Sequence, residues 1–408
     1  MWTLLAFVLV ILFITICTAR YHISPFIVLL LAAVSFGILT GEMATLSETI
    51  LKGITGVFGL LCLPIFSGAV LARLLQQSGG IHRIVADLKR CSNNTVFISG
   101  ITGYLLSIPM MCCISSFLVA SPVTGHLSSH PKNRQTDLFM TAQGSILSFV
   151  LIFPLPVTYA IVQDGLTESF APLSYNLLAV PLSLALLVLC YFYFRRRREE
   201  EPPDGTPVSG LPRWKAWAPV YLPVVFLAAG HLIPGLFLLQ NVGFALFTAM
   251  LISLVLLRDW WQVAVEKGTK HAGQILFDLC GAGALGAVIA AGSFAGDLIG
   301  ILPQALPPLL IIFLVAALIQ AAQGSRVVTA VISASILGIS QYTPDLPVSA
   351  LVLAIVAGTL ALSYVSDPYF WFVKRATNAN MHEMVKGYTL PQTCCAIMIL
   401  VVACLLCV

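Results

Sequence analysis

Charged residues are scarce in this chain. Asp, Glu, Lys and Arg make up 9% of the sequence, whereas hydrophobic residues make up 59%. Because a soluble domain carries roughly a quarter charged residues, this deficit excludes a protein whose whole surface faces water. The apolar residues form repeated runs that approach the ~20 residues an α-helix needs to cross a bilayer. We therefore expect an all-α polytopic membrane protein that contacts lipid and does not bind nucleic acid.

Motifs for nucleotide and metal chemistry are also missing. The sequence contains no G-x-x-x-x-G-K-[ST] loop, which argues against ATP-driven transport by this chain. The segment HEMVK begins like a zinc-binding H-E-x-x-H helix, but Lys386 occupies the position of the second histidine. Nearly all of the eleven cysteines lie within apolar runs, where they are typical packing residues. We expect no enzyme activity, no metal site and no cofactor.

The apolar runs define the candidate membrane segments and one long hydrophilic linker. The linker RRRREEEPPDGTPVSGLPRWK, residues 195–215, separates a first repeat, 1–194, from a second repeat, 216–408. The predicted segments are 2–18, 25–39, 54–75, 95–120, 138–162, 172–194, 217–233, 242–257, 275–291, 310–335, 348–372 and 392–408.

Basic loops predict the orientation, since cytoplasmic loops carry an excess of Lys and Arg. The linker is therefore expected in the cytoplasm, together with the basic segments 83–90, 126–134, 258–270 and 374–386. With this placement, segment 95–120 begins and ends in the cytoplasm, and segment 310–335 begins and ends outside. Each has a helix breaker near its middle, Pro109 or Gly324. We interpret both as re-entrant hairpins; two long straight crossings are the alternative.

A weak internal repeat relates the two halves. A shift of 215 residues aligns Gly68 with Gly283 and Pro109 with Gly324. Each repeat then contains five transmembrane helices plus one re-entrant hairpin. Because five is odd, the two repeats face opposite sides of the membrane. This inverted-topology arrangement is common in secondary transporters, which bind substrate at broken helices near the bilayer midplane.

Four backbone breaks at membrane depth predict the site: Pro109, Gly324 and the segments 152–156 and 363–371. Half-helix N-termini at such breaks suit an anionic substrate, and freed carbonyl and hydroxyl oxygens suit a cation. The candidate substrate-binding residues near the breaks are Ser107, Pro109, Ser145, Ser148, Gln323, Gly324, Ser325, Arg326 and Ser363. The candidate ion-coupling residues are Ser366 and Asp367.

Arg326 and Asp367 each allow more than one role. A charged side chain at bilayer depth costs at least ~2.5 kcal/mol unless it is paired or hydrated. Arg326 could therefore clamp a substrate carboxylate, form a structural ion pair with Asp367, or lie nearer the surface. Asp367 could carry a proton, bind a cation, pair with Arg326 or cap the helix after it.

Several stretches carry a family resemblance: GAVLARLLQQSGGIHRIVADL (68–88), GYLLSIPM (103–110), GALGAVIAAGS (283–293), AAQGSRVVTA (321–330) and ALSYVSDPYFWFVKR (361–375). Over nearly its whole length the chain resembles the gluconate:proton symporters, the gluconate permeases or GntP family, within the ion-transporter superfamily. The resemblance implies import of gluconate or a related hydroxy acid with a proton, across a bacterial inner membrane.

Three features depart from that family. The stretch MMCCISSF, after the S-I-P motif, lacks the acidic residue that family members carry there. The stretch IFPLP has no histidine, and Arg326 stands where the family usually has a small residue. We therefore expect a carboxylate substrate that is smaller or more anionic than gluconate.

The favoured interpretation is a secondary carrier of organic anions that works by alternating access. H⁺ is the expected coupling ion, with Na⁺ as the alternative, and a homodimer is left open. The main alternative is an ion channel or a cation/proton antiporter that uses Arg326 and Asp367 as a charge relay. An intramembrane enzyme or scaffold is disfavoured because the sequence contains no nucleophile–base constellation.

Overall fold

A computed structural model describes residues 2–19, 23–92, 94–125, 127–128, 130–163, 170–197, 211–233, 235–294, 297, 306–337, 346–364 and 367–407. All regular secondary structure in these residues is helical. Most of the predicted linker, 198–210, lies outside the described residues, as does Ser366.

In the described part of the chain, the α-helices form a group of nine up to Arg195 and a group of eight from Arg213 onwards. The first group is α1 (Trp2–Ala19), α2 (Pro25–Thr40), α3 (Leu46–Gln77), α4 (Gly80–Cys91), α5 (Thr95–Met110), α6 (Cys113–Thr124), α7 (Pro131–Leu151), α8 (Pro156–Gln163) and α9 (Pro172–Arg195). The second group is α10 (Arg213–Leu232), α11 (Val242–Leu256), α12 (Trp261–Ala291), α13 (Pro308–Gln323), α14 (Arg326–Leu337), α15 (Val348–Ala361), α16 (Pro368–Thr377) and α17 (Met381–Leu405). One turn of α17, Val385–Thr389, is a π-helix.

Several helical segments are long and apolar enough to cross a bilayer, judged by length and composition. They are Pro131–Gln163, Pro172–Arg195, Arg258–Ala291 and Met381–Leu405, with the bent helix α3 as a fifth. Shorter apolar helices of 10–17 residues, including α2, α5, α11 and α15, accompany them. The chain thus has the helical, apolar architecture expected from its composition.

Both segments that were predicted as hairpins are interrupted. Segment 95–120 divides into α5 and α6 around Met111 and Cys112, and segment 310–335 divides into α13 and α14 around Gly324 and Ser325. In each case the two helices pack against each other. Neither segment forms one continuous helix.

Helix α3 bends by 44° between Leu46–Gly59 and Leu61–Gln77. Pro64 lies within this helix and has no N–H to donate to the carbonyl four residues earlier. Because a proline ring also clashes with that carbonyl, the bend has an identified cause.

Helices α3 and α12 form the most extensive helix pair in the described chain. They cross where Gly53 faces Gly283, and a Cβ atom added to Gly53 would lie 2.2 Å from the carbonyl oxygen of Gly283. The two backbones can approach this closely only because neither residue has a side chain.

Helix α12 begins earlier than predicted. Lys267 and Lys270, which were expected in a loop, are exposed residues of this helix. Ala264, Gly268 and Ala272 are buried at intervals of four residues, so the first half of α12 is amphipathic. An apolar-run criterion misses such a segment because one face of the helix is polar.

The helix order is similar in the two halves. Helices α3 and α12 begin at Leu46 and Trp261, which are 215 residues apart. Helices α6 and α14 begin at Cys113 and Arg326, which are 213 residues apart. In both halves, a long helix precedes an interrupted helix pair and then a second interrupted pair; in the first half, α4 lies between the long helix and the first pair.

Candidate functional site

The break between α13 and α14 is stabilised by one buried glutamine. Gly324 has a φ of +79°, a left-handed conformation that favours glycine, and its N–H donates to the carbonyl of Gln320. The Gln320 Nε2 donates to the Gly324 carbonyl (2.9 Å), and its Oε1 accepts from Thr329 Oγ1 (2.9 Å). Gln320 thereby connects α13 to α14 and holds Arg326 at the start of α14.

Arg326 lies at the centre of a buried polar cluster, with 4% of its surface exposed. Its Nη2 lies within hydrogen-bonding distance of four acceptors: Gln392 Oε1 (2.7 Å), Asp367 Oδ2 (2.9 Å), Ser363 Oγ (3.1 Å) and Tyr388 Oη (3.2 Å). The Nε of the same guanidinium is buried and has no hydrogen-bond partner among the described residues. The acceptors are therefore unevenly distributed around Arg326.

Asp367 forms a salt bridge with Arg326 and caps helix α16. The side chains of the pair are only 3% and 2% exposed. Asp367 Oδ1 accepts from the backbone N–H of Tyr369 (2.9 Å), and Oδ2 accepts from Tyr388 Oη (2.5 Å) as well as from Arg326. Additional hydrogen bonds offset the desolvation of a buried ion pair, and these contacts supply such bonds to Asp367.

The chain between α15 and α16 is held by threonines of α17. Thr389 Oγ1 donates to the Ser363 carbonyl (2.9 Å), and Thr393 Oγ1 donates to the Ala361 carbonyl (2.8 Å). These carbonyls lie at and just after the C-terminus of α15, where the backbone leaves acceptors without intrahelical donors. Helix α17 thus fixes the position of Ser363 beside Arg326.

The π turn of α17 carries Tyr388 and is bound by α7. Gln143 of α7 donates from Nε2 to the carbonyls of Gly387 (3.3 Å) and Tyr388 (3.2 Å). A π turn shifts carbonyls out of the regular α-helical pattern, and such turns are frequent at functional sites. Gln143 therefore links the first half of the chain to the cluster around Arg326.

The break between α5 and α6 lies beside the same cluster. Met111 has a φ of +50° immediately after α5, two residues beyond Pro109. The thiol of Cys113, the first residue of α6, is within electrostatic range of both Arg326 and Asp367. The broken segments of the two halves thus meet at one place.

The predicted serines are buried but have different surroundings. Ser145 Oγ donates to the Thr141 carbonyl and lies 3.2 Å from Ser116 Oγ, which connects α7 to α6. Ser148 Oγ donates to the Gly144 carbonyl within its own helix. Ser107 Oγ is buried without a partner.

The structure brings three of the predicted site residues, Ser363, Arg326 and Asp367, into direct contact. Gln323 ends α13 and Ser325 is half-buried in the break after it, while Ser366 lies outside the described residues. Sequence reasoning missed Tyr388 and Gln392, although their i, i+4 spacing places both on one face of a helix.

A cleft of about 810 Å³ lies between the N-terminus of α7, the C-terminus of α9 and the α16–α17 connection. The charged residues that line it are Lys132, Arg196, Arg197, Lys386 and Glu383. These four cations come from three separate segments that were each predicted to be cytoplasmic. The cleft is therefore strongly cationic.

Phe139 lines this cleft on the side of the buried cluster. Its ring stacks on Phe194, with ring centroids 6.3 Å apart, and packs so tightly against Gly387 that an added Cβ there would lie 2.5 Å from the ring. Gln143 lies one helical turn from Phe139 and contacts the backbone of Tyr388. Phe139 and Gly387 therefore connect the wall of the cleft to the turn of α17 that carries Tyr388.

Comparison with known proteins identifies a permease family over most of the chain. The sequence profile described as GntP family permease matches residues 2–165 and 225–408. The high-affinity gluconate transporter of Escherichia coli K12 is 24% identical over 428 residues, covering 92% of both chains. The D-serine transporter DsdX of Escherichia coli K12 is 25% identical over 431 residues, covering 95% of this chain and 94% of the relative.

A solved structure shows a similar fold. The Alcanivorax borkumensis YdaH transporter superposes with a TM-score of 0.60 at 15% sequence identity, covering 88% of this chain and 87% of that one. From the family match over both halves, we conclude that the chain belongs to the GntP family of permeases and is an integral membrane transporter.

Proposed function

We propose that this chain is a secondary active transporter that imports a small organic carboxylate, gluconate or a related acid, together with a proton. The observation that carries the proposal is the buried guanidinium of Arg326 at a helix break, with its Nε left without an acceptor. A buried cation with an unused donor is suited to bind a carboxylate, which accepts two parallel N–H bonds from arginine.

Helix N-termini add to the positive character of this site. Arg326 begins α14, Asp367 caps the start of α16, and Cys113 begins α6 within electrostatic range of both charges. The N-terminus of a helix carries unsatisfied N–H groups and a partial positive charge that favour anions. The site therefore offers an anion both a full charge and oriented backbone dipoles.

Inverted repeats are the architecture that we propose for this transport. The two repeats, 1–194 and 216–408, would each contribute five crossings and one re-entrant hairpin, formed by α5 with α6 and by α13 with α14. The offsets of 215 and 213 residues between corresponding helix starts support this arrangement. Movement of the hairpin-bearing elements against the rest would expose one site to each side in turn.

The cationic cleft is proposed as the cytoplasmic vestibule of the pathway. In a bacterial inner membrane, the linker 195–215 and the cleft would face the cytoplasm. Lys132, Arg196, Arg197 and Lys386 would attract the organic anion, because clefts lined by one sign of charge concentrate ions of the opposite sign. Phe139 packed against Gly387 would close the passage between vestibule and site.

The relatives support the chemical class of the substrate. One is named for gluconate and another for D-serine. Both compounds are small molecules that carry a carboxylate and at least one hydroxyl group. For this chain we propose a hydroxylated carboxylate, with the carboxylate at Arg326 and hydroxyls near Ser107 and Gln392, whose Oγ and Nε2 atoms are buried without partners.

A cation/proton antiporter or an ion channel is the second candidate. The buried Arg326–Asp367 pair favours it, because a charge relay needs two titratable or charged groups in contact. Counterflow separates the two functions: a carrier exchanges labelled internal carboxylate for external carboxylate, whereas an antiporter of cations or a channel does not.

The test is uptake of labelled gluconate into proteoliposomes under an imposed inward proton gradient, with unlabelled organic acids as competitors. The proposal predicts saturable uptake that collapses when a protonophore is added, with the strongest competitor identifying the preferred substrate. Empty liposomes provide the background. Failure of every acid to be taken up or to compete, with folded protein, would contradict carboxylate transport.

A further inference from the structure

One edge of the Arg326 guanidinium is half occupied. The Nε–H and one Nη2–H of arginine point in parallel and form the edge on which a carboxylate binds with both oxygens. In Arg326, Nη2 has two protons and faces four acceptors. The single proton of Nε faces no acceptor among the described residues. An incoming carboxylate would meet no competing acceptor at Nε among the described residues, whereas at Nη2 it would have to replace acceptors that are already there.

The occupants of the second position differ in charge. Ser363, Tyr388 and Gln392 present neutral oxygens, and Asp367 presents a carboxylate at 2.9 Å. Two ionised carboxylates on one buried guanidinium would leave a net negative charge out of contact with water. Burying an uncompensated charge is so costly that a group neutralises instead. The substrate and ionised Asp367 therefore compete for Arg326.

We propose that the substrate carboxylate replaces Asp367 on Arg326 and that Asp367 takes up the co-transported proton in the same event. This inference rests on the proposed carboxylate transport and supplies its coupling mechanism. Before binding, the guanidinium and the Asp367 carboxylate sum to zero charge. One anion and one proton enter, the anion pairs with Arg326, Asp367 becomes a neutral carboxylic acid, and the site again sums to zero.

The surroundings of Asp367 accommodate both forms. Its Oδ1 accepts from the Tyr369 N–H in either state, so α16 stays capped. Tyr388 Oη donates to the ionised carboxylate. The same hydroxyl can rotate and accept a hydrogen bond from the O–H of the neutral acid, which keeps its proton. The same contact thus supports the charged form and the protonated form.

No second acid competes for this proton in the described part of the cluster. The titratable groups that face Asp367 are Arg326 of α14, Tyr388 of α17 and Cys113 of α6. Arginine stays charged, and an ordinary phenol or thiol already holds its proton at neutral pH, whereas an ordinary carboxylate does not. Asp367 is therefore the group whose protonation changes the charge of the site.

The test compares exchange with accumulation in proteoliposomes that hold the wild type or Asp367→Asn. Asparagine keeps the capping oxygen of Asp367 but has no titratable proton. In the wild type, the apparent affinity for gluconate in counterflow should fall about tenfold per pH unit at high pH, as linkage to one proton requires. In Asp367→Asn, counterflow should persist with an affinity independent of pH, and an imposed proton gradient should drive no accumulation.

A second measurement needs no variant. Purified wild-type protein in weakly buffered detergent should take up one proton for each gluconate bound. Binding without proton uptake, or proton-driven accumulation by Asp367→Asn, would overturn the charge exchange while leaving carboxylate transport intact. Absence of exchange with every carboxylate in the wild type would instead overturn the proposed function itself.

Discussion

Arg326 and Asp367 are 41 residues apart in the sequence and form a buried salt bridge with an Nη2–Oδ2 distance of 2.9 Å. The bridge connects the break between α13 and α14 to the break between α15 and α16. Any movement of one broken segment relative to the other must therefore separate two opposite charges or bring in others that replace them. This physical constraint links conformation to the charge state of the site.

The first prediction concerns the stability of the pair. Arg326→Gln leaves the Asp367 carboxyl group buried without its cationic partner, so it should lower the free energy of unfolding by about 3–5 kcal/mol. Adding Asp367→Asn removes the unpaired carboxyl group and should restore part of that loss. The check is thermal unfolding of both single variants and the double variant in detergent.

In this cycle, the double variant should unfold at a higher temperature than Arg326→Gln, yet fail to transport carboxylate. Strictly additive losses would show that the two residues do not stabilise each other. Unchanged transport and substrate preference in Arg326→Gln would remove the carboxylate clamp from the account.

A second prediction concerns Tyr388, whose hydroxyl donates to Asp367 and accepts from Arg326. Tyr388→Phe keeps the ring but leaves two buried charged groups short of a partner, which should cost about 1–3 kcal/mol. Tyr175→Phe is the matched control, because Tyr175 is equally buried and its Oη has no hydrogen-bond partner. Thermal unfolding of the two variants should differ, with Tyr175→Phe unchanged or more stable; equal losses would contradict the role given to Tyr388.

The crossing of α3 and α12 provides a third prediction. A Cβ at Gly283 would lie 2.5 Å from the Gly53 carbonyl oxygen, so Gly283→Ala should force the helices apart and lower both the melting temperature and the yield of folded protein. Gly273→Ala on the same helix meets no atom within 4 Å and should be neutral or stabilising. Equal melting temperatures and yields of the two variants in detergent would mean that α3 and α12 can move apart at this crossing without loss of stability.

The fourth prediction tests the cleft as a vestibule. In the double variant Arg196→Gln/Lys386→Gln, two exposed cations of the cleft are replaced by neutral residues. Exchange from the cytoplasmic side should slow by about 3–10-fold at low ionic strength, because electrostatic steering of the anion is lost. The difference should shrink at high salt, since added ions screen the attraction. Lys270→Gln on α12 removes an exposed cation outside the cleft and serves as control.

The readout for the cleft is initial exchange rate in inside-out and right-side-out vesicles. A matching decrease from both sides, or a decrease that salt does not change, would assign Arg196 and Lys386 a structural role rather than a steering role. Wild-type rates in Lys270→Gln are expected in either orientation.

Sequence alone predicted the helical architecture and both interrupted segments. Pro109 and Gly324 stand out because helix breakers within apolar runs have a direct backbone consequence. Arg326 and Asp367 stand out because charge is costly in an apolar run, and an ion pair between them is one of the roles that the sequence allows. In each of these cases, the type of the residue and the apolar run around it were enough to predict its importance.

Tyr388 and Gln392 could not be found by the same reasoning. The predicted last span began at Gln392, because the preceding residues are polar and include Lys386, whereas α17 begins at Met381. The π turn of this helix follows from tertiary contacts such as those of Gln143 and not from apolar periodicity. The positions of Tyr388 and Gln392 in the site therefore depend on contacts between distant segments, which the periodicity of the sequence does not reveal.

The most direct test of the account records gluconate uptake and external pH in the same weakly buffered proteoliposomes, without an imposed proton gradient. An inward gluconate gradient should produce saturable uptake with simultaneous alkalinisation of the external medium, one proton per gluconate, and neither signal should occur in empty liposomes. Gluconate uptake without any change in external pH would contradict proton-coupled transport at the Arg326–Asp367 site.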